Sequence, residues 1–249
     1  MSRNNYDLHK NPQFLKGIDL WSPDKRRGVA SAVPGGTTFI VSNFPAFAFT
    51  DFTGTGSASN ADSPSGSLVN CICQNVDDSA SGFVTAGAAT RRNWSPRIRF
   101  KFAAGNVITS VRWWLGAYAS DPSALTTLAG ISAACFGYDT EVDGTAYWRC
   151  KSSNAATMQT TATDVAVVAS HLYTGDIVMD NANSQVLFYL ADHGLLTATK
   201  TEVKPKLVAI HATSVPVADT PLLIGGTVTT LVAASPRRIV LGEVSLSQD

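Results

Sequence analysis

Charge is scarce in this chain of 249 residues: Asp, Glu, Lys and Arg make up 15% of it, and they cancel to a formal net charge of zero. An average soluble domain carries about 25% charged residues. The neutrality argues against nucleic acid as a partner, because such binding rests on a basic surface. Long apolar runs are also missing. With no stretch of about 18 apolar residues, no membrane-spanning helix is expected. The first residues, Met1-Ser2-Arg3-Asn4-Asn5-Tyr6, lack the apolar core of a signal peptide, so the expectation is synthesis and folding in a reducing cytoplasm. The four cysteines, Cys71, Cys73, Cys135 and Cys150, make no Cys-x-x-Cys pair. A zinc site needs such pairs or histidines at matching spacing, so small buried thiols are expected instead.

Catalytic signatures are equally absent. His9, His171, His193 and His211 lie far apart, in no His-x-x-x-His or His-Glu-x-x-His arrangement. His193, within Asp192-His193-Gly194, is expected in an exposed hairpin turn. No Gly-x-Ser-x-Gly occurs. Asp139 and Glu141 fall near one loop, whereas glycoside hydrolysis needs two carboxyls facing each other across a cleft. They are read as solvated loop acids. The chain is therefore expected to be no enzyme and to need no cofactor or metal.

What is present is a succession of short β-rich segments. Thr37-Thr38-Phe39-Ile40-Val41-Ser42 is β-branched and aromatic, and Ala46 to Phe52 alternates apolar with other residues, the period of a half-buried strand. Further strands are predicted over 68–74, 97–102, 107–119, 131–138, 145–150, 155–163, 174–180, 185–190, 205–213, 222–232 and 237–247. Between them lie Ala104-Gly105-Asn106, Val142-Asp143-Gly144 and Asp180-Asn181-Ala182-Asn183, residues that tolerate the positive φ of tight hairpins. Only 121–128 and 164–171 suggest short helical turns. Close-set strands without βαβ alternation predict an all-β, antiparallel sandwich of the jelly-roll kind over 37–249. A Gly/Ser/Ala/Asn stretch at 53–67 reads as a surface excursion.

Residues 1–36 are expected to form an extended, irregular arm. Asn11-Pro12, Ser22-Pro23-Asp24 and Pro34-Gly35-Gly36 punctuate it. Yet Tyr6, Phe14, Leu15, Ile18, Leu20 and Trp21 are too many apolar groups for a solvated tail, so the arm should dock, on its own domain or, by preference, on neighbouring subunits. Residues 1–30 hold six cations against three acids. Lys25-Arg26-Arg27 reads either as a solvated turn or as a hook whose guanidinium forks meet carboxylates on a neighbour while Trp21 fills a pocket.

Trp113 and Trp114 are adjacent, so on a strand they face opposite sides. One belongs in the core; the other covers the outer sheet or meets a partner, and an exposed ring there would stack on a sugar. Arg149, next to Trp148, is either a ligand-contacting cation or a guanidinium lying over an aromatic face.

From Arg97 onward the pattern resembles a known module. Arg97-Ile98-Arg99-Phe100-Lys101-Phe102, Val111-Arg112-Trp113-Trp114-Leu115-Gly116-Ala117-Tyr118, Ala134-Cys135-Phe136-Gly137-Tyr138-Asp139-Thr140 and Tyr147-Trp148-Arg149-Cys150 carry the likeness, with Val186 to Leu190 and the closing 238–249 segment. Together, over about 80–249, they resemble a concanavalin-type, lectin-like jelly roll found in virion proteins of tailed bacteriophages. The resemblance implies a non-enzymatic virion component and does not by itself say which one. The docking arm, with no long repeats or coiled-coil heptads of a fibre, favours the capsid surface, as a decoration or cement protein. Its partners would be the major capsid protein and copies of itself, with a trimer favoured, and its contacts Tyr6, Phe14, Leu15, Trp21, Lys25, Arg26 and Arg27. The alternative is a tail-fibre or receptor-binding module gripping host glycan through Trp113 or Trp114 with Arg149.

Overall fold

The computed structural model describes residues 16–21, 29–32, 37–44, 47–54, 69–72, 84–85, 94–102, 108–120, 122, 125–180, 182–195, 203–217, 221–231 and 238–248. Side chains are described mainly between 95 and 217. Among these residues every regular element is a strand. In chain order they are β1 (Lys16–Trp21), β2 (Val29–Ala32), β3 (Thr37–Phe44), β4 (Phe47–Gly54), β5 (Val69–Ile72), β6 (Val84–Thr85), β7 (Trp94–Phe102) and β8 (Val111–Tyr118). There follow β9 (Ser132–Asp139), β10 (Tyr147–Asn154), β11 (Met158–Ala166), β12 (His171–Asp180), β13 (Gln185–Leu195), β14 (Lys206–His211), β15 (Pro221–Thr230) and β16 (Arg238–Gln248).

The strands make two antiparallel sheets. One has eight strands in the order β14-β13-β12-β7-β16-β4-β3, with β1 also on β16; the other has six, β11-β10-β9-β8-β15-β6. A separate ribbon joins β2 to β5. Along one side β16 follows β7 from Ile239 to Gln248. On its other side β16 is divided: Arg238–Leu241 pairs with β4 and Val244–Gln248 with β1. The fold is thus the all-β antiparallel sandwich expected from the strand periods.

Three features depart from expectation. Within the stretch read as an arm, Lys16–Trp21 is a strand of the chain's own large sheet, and Val29–Ala32 pairs with β5. Ile18 and Leu20 alternate with Gly17 and Asp19, which is strand period in a segment too short to stand out. The 121–128 and 164–171 stretches hold no helical turn among the described residues; Asp164 to Ala166 finish β11. His193 lies inside β13 and is buried, not exposed in a turn. Gly194 does adopt positive φ, 66°, but the conformation serves a register shift opposite Leu172/Tyr173 within the β12–β13 ladder.

Between the sheets lies a core drawn from alternate positions of β7 to β14. Trp148 on β10 is its hub. Its ring meets Phe100 at 5.0 Å and Tyr173 at 5.4 Å edge-on, and Tyr138 and Trp113 at 5.9 and 6.1 Å. Such offset and edge contacts add about 0.5–1.5 kcal/mol per pair beyond burial. Beside this cluster Phe136 of β9 stands over Gly175 of β12. A Cβ at 175 would lie 2.5 Å from Phe136 Cε2 and 2.8 Å from Cδ2. The missing side chain is a notch that receives the ring from the opposite sheet.

The margin of the sandwich is closed by polar contacts between β14, β10 and β11. His211, fully buried, lies with Nδ1 2.7 Å from Ser152 Oγ and Nε2 3.0 Å from Thr161 Oγ1. Thr213 donates to Gln159 at 2.7 Å, and Lys206 meets Asp164 at 2.6 Å.

Candidate functional site on the outer face of the six-stranded sheet

Alternate residues of β8, β9 and β10 point away from the core, and their register sets them in rungs. Arg112 stands beside Asp139; Trp114, Gly137 and Arg149 form the next rung; Gly116, Cys135 and Lys151 the third; Tyr118, Ala133 and Ser153 the fourth. Cations inside apolar strands need partners, because an unpaired buried charge is costly. The β9–β10 turn supplies them. Arg112 Nε donates to Asp139 Oδ2, and its Nη1 donates to the Leu125 carbonyl at 3.1 Å. Asp139 Oδ1 accepts from the backbone N–H groups of Glu141 and Val142 at 3.0 and 3.3 Å, which folds the turn. Lys151 Nζ lies 2.9 and 2.7 Å from the two Asp143 oxygens, with side chains only 4% and 5% exposed. Arg149 donates to the Asp143 carbonyl.

Aromatic and thiol groups fill the rest of this face. The Arg112 guanidinium is 5.3 Å from the Trp114 ring centre, within cation–π range. Gly137 leaves room for the Lys151 stem: a Cβ there would lie 2.7 Å from Lys151 Cε and 3.4 Å from Trp114 Cδ1. Leu128 is buried against Trp114, Tyr118, Ala133 and Cys135, with Leu125, Ile131 and Met158 partly buried beside them. Burial pushes the Cys135 thiol up to about 12, with the Lys151 charge opposing. It is therefore a protonated, inert thiol at neutral pH. Burial, with the neighbouring Cys135, raises the Tyr118 hydroxyl well above its ordinary range.

Chemically, this is a clamp. Asp139 and Asp143 each face a cation at contact distance, and the acid left open is Glu141, 46% exposed and 3.9 Å from Arg112 Nη2. General acid–base hydrolysis needs two carboxyls free to exchange protons across a substrate; Asp139 and Asp143 are instead held in ion pairs within one turn. Among the described residues no group of three or more His, Cys, Asp or Glu side chains is placed to hold a metal ion.

Of the site residues read from the sequence, Trp114 and Arg149 share one rung, while Trp113 faces the opposite side. Trp113 is in the inter-sheet core and Trp114 beneath Leu128, both buried, so neither ring faces solvent as sugar stacking requires. The correction follows from the second layer over the outer face, which alternation alone does not reveal. Arg149 is half-buried and held by the Asp143 carbonyl, on the rung of Trp114. Trp21 ends β1. Tyr6, Phe14, Leu15, Lys25, Arg26 and Arg27 lie outside the described residues. Sequence reasoning missed Arg112, Asp143 and Lys151. Their signal was Arg112 within the apolar β8 and the Arg149 and Lys151 pair of β10, with the Asp139-x-Glu141-x-Asp143 turn lying between the two strands in sequence.

No protein-family model matches the chain, and no curated protein matches it. Solved structures do. A protein of unknown function from Shewanella oneidensis MR-1 aligns with a TM-score of 0.53 at 10% identity, covering 94% of this chain and 85% of that one. The catalytic domain of a glycoside hydrolase family 131 protein from Coprinopsis cinerea aligns with a TM-score of 0.53 at 10% identity, covering 91% and 86%. Arcelin-5, a lectin-like defense protein from Phaseolus vulgaris, aligns at 0.45 and 10% identity, covering 94% and 98%. At such identity likeness extends to architecture alone: an all-β jelly roll of two antiparallel sheets.

Proposed function

We propose that the protein is a non-catalytic jelly-roll component of a bacteriophage virion, a capsid decoration or cement protein that acts by binding. The observation that carries the non-catalytic part is the clamp: Asp139 and Asp143 are each held by a cation and Trp113 and Trp114 are sealed. The virion assignment is supported by the resemblance carried by residues 80–249. Because Lys16–Trp21 is committed to its own sheet, the docking role falls to the residues before it and to 22–28, the stretch between β1 and β2 that holds Lys25, Arg26 and Arg27. A subunit that binds the assembled lattice and not its free parts stabilises that lattice by mass action, and repeated contacts around a symmetric shell raise the local concentration of each. The partners would be the major capsid protein and further copies of this chain, with a trimer favoured.

The test is quantitative mass spectrometry of density-purified virions. Hundreds of copies per particle are expected. A few to a few dozen would move the protein to the tail, and absence from particles would reject the reading. A second reading, saccharide binding, is favoured by the architectural likeness to a glycoside hydrolase family 131 catalytic domain. Saturable binding on a glycan array, lost when Arg149 is replaced by Met, would support it over the first.

A further inference from the structure

The outer face of the six-stranded sheet is covered by a short segment with few ties. Leu125–Ile131 bonds mostly to itself and to the residues before it: Leu125 N–H donates to the Pro122 carbonyl, Ile131 N–H to the Leu128 carbonyl and Ala129 N–H to Thr127 Oγ1. Its polar tie to the sheet among the described residues is the Arg112 bond to the Leu125 carbonyl. The rest of its hold is apolar and centres on Leu128, which is fully buried, while Thr126, Thr127 and Gly130 are exposed. What it covers is poorly satisfied. Trp114 Nε1 is buried without an acceptor, and the Tyr118 hydroxyl has the weakly bonding Cys135 thiol beside it. Buried donors without good acceptors carry a desolvation cost that water would relieve, so lifting the segment regains hydration at Trp114 while it loses the burial of Leu128.

The geometry points to Leu125–Ile131 as a flap that lifts from the six-stranded sheet as a local unit, while the sandwich stays folded, uncovering Trp114, Tyr118 and Cys135. Sub-global opening of this kind is expected where few backbone bonds and one apolar plug hold a segment. It would make a face of rings and donors transiently available without separating the two sheets.

The molecule carries its own control. Cys135 lies beneath Leu128, whereas Cys150 lies in the inter-sheet core; both are buried and free. The full-length protein is labelled with N-ethylmaleimide at pH 8 over a series of urea concentrations below the unfolding transition, and each cysteine is followed by peptide mass spectrometry. Cys135 should react at least about 10-fold faster than Cys150, with a weaker dependence on urea, since local opening exposes less surface than unfolding. Leu128→Ala should speed Cys135 labelling by a further 10-fold or so and leave Cys150 unchanged relative to global stability. Equal rates with equal urea dependence, whether fast or slow, would overturn the flap, and this wild-type comparison decides even if the variant does not fold.

Discussion

Replacing Gly175 by Ala adds one methyl group, and its effect depends on Phe136. The new Cβ would sit 2.5, 2.8 and 3.3 Å from three ring atoms of Phe136, where carbon atoms prefer about 3.5–4.0 Å. The ring cannot simply swing aside, because it also packs edge-on against Phe188 at 5.6 Å. Overpacking of this size costs about 1–3 kcal/mol. Against it stands the loss of glycine's freedom in the unfolded chain, which stabilises by about 0.4–1 kcal/mol where the backbone is compatible. The net expectation is destabilisation by about 1–2 kcal/mol, and a melting point lower by about 2–4 °C per kcal/mol for a chain of this size. Urea unfolding followed by tryptophan fluorescence reads it directly, with an unchanged slope. Phe136→Leu, which shrinks the ring, should cost about 1–2 kcal/mol alone, yet the double variant should be at least about 1 kcal/mol better than the two costs added, since groups in contact couple. Additivity within about 0.5 kcal/mol, or a Gly175→Ala variant more stable than wild type, would refute the notch.

Other perturbations test other joints. Asp176 receives Arg97 through two bonds of 2.7 and 2.8 Å on the buried outer face of the large sheet; Asp176→Ala should cost about 3–5 kcal/mol by removing the carboxylate from this buried ion pair, and Arg97→Met with Asp176→Leu should recover most of it in the same unfolding assay. Burial lowers His211 to about 4. Its unfolded form takes up a proton near 6.5, so stability should be full above about pH 6.5 and fall as pH drops toward 4. The loss amounts to at most about 3.5 kcal/mol, and a His211→Asn variant should show a flatter pH profile over that window. Glu141 is exposed and 3.9 Å from Arg112, so Glu141→Gln should change stability by less than about 1 kcal/mol, whereas Arg112→Met, which strands Asp139, should cost several kcal/mol by chemical denaturation.

Much of the architecture was legible because strand period is a local signal. Val111 to Tyr118, Ala133 to Tyr138 and Ile239 to Leu246 carry it in their own residues. β1, β2 and β6 escaped notice for physical reasons: β1 is six residues and β6 two, too short for a period to stand out, while Val29-Ala30-Ser31-Ala32 has a single β-branched residue, and they are strands because partners elsewhere accept them. His193 was misplaced because Asp192-His193-Gly194 carries turn chemistry that the fold uses for a register shift inside a ladder. The clamp was the least legible part. Arg112 and Asp139 are neighbours only through the β8–β9 register, and Leu128 seals Trp114 from a connection whose sequence gives no sign of where it folds back.

The divided flank of β16 has a consequence for assembly of the fold. β3 reaches the large sheet through β4, and β4 and β1 through β16, so residues near the front of the chain enter the ladder only by way of a strand about two hundred positions later. Closing loops of that length is slow and precedes any reward from the contacts they make. Until residues 238–248 arrive, the sheet can grow from β14 as far as β7 and no further, leaving the open margin of β7 as a template for whatever strand meets it first.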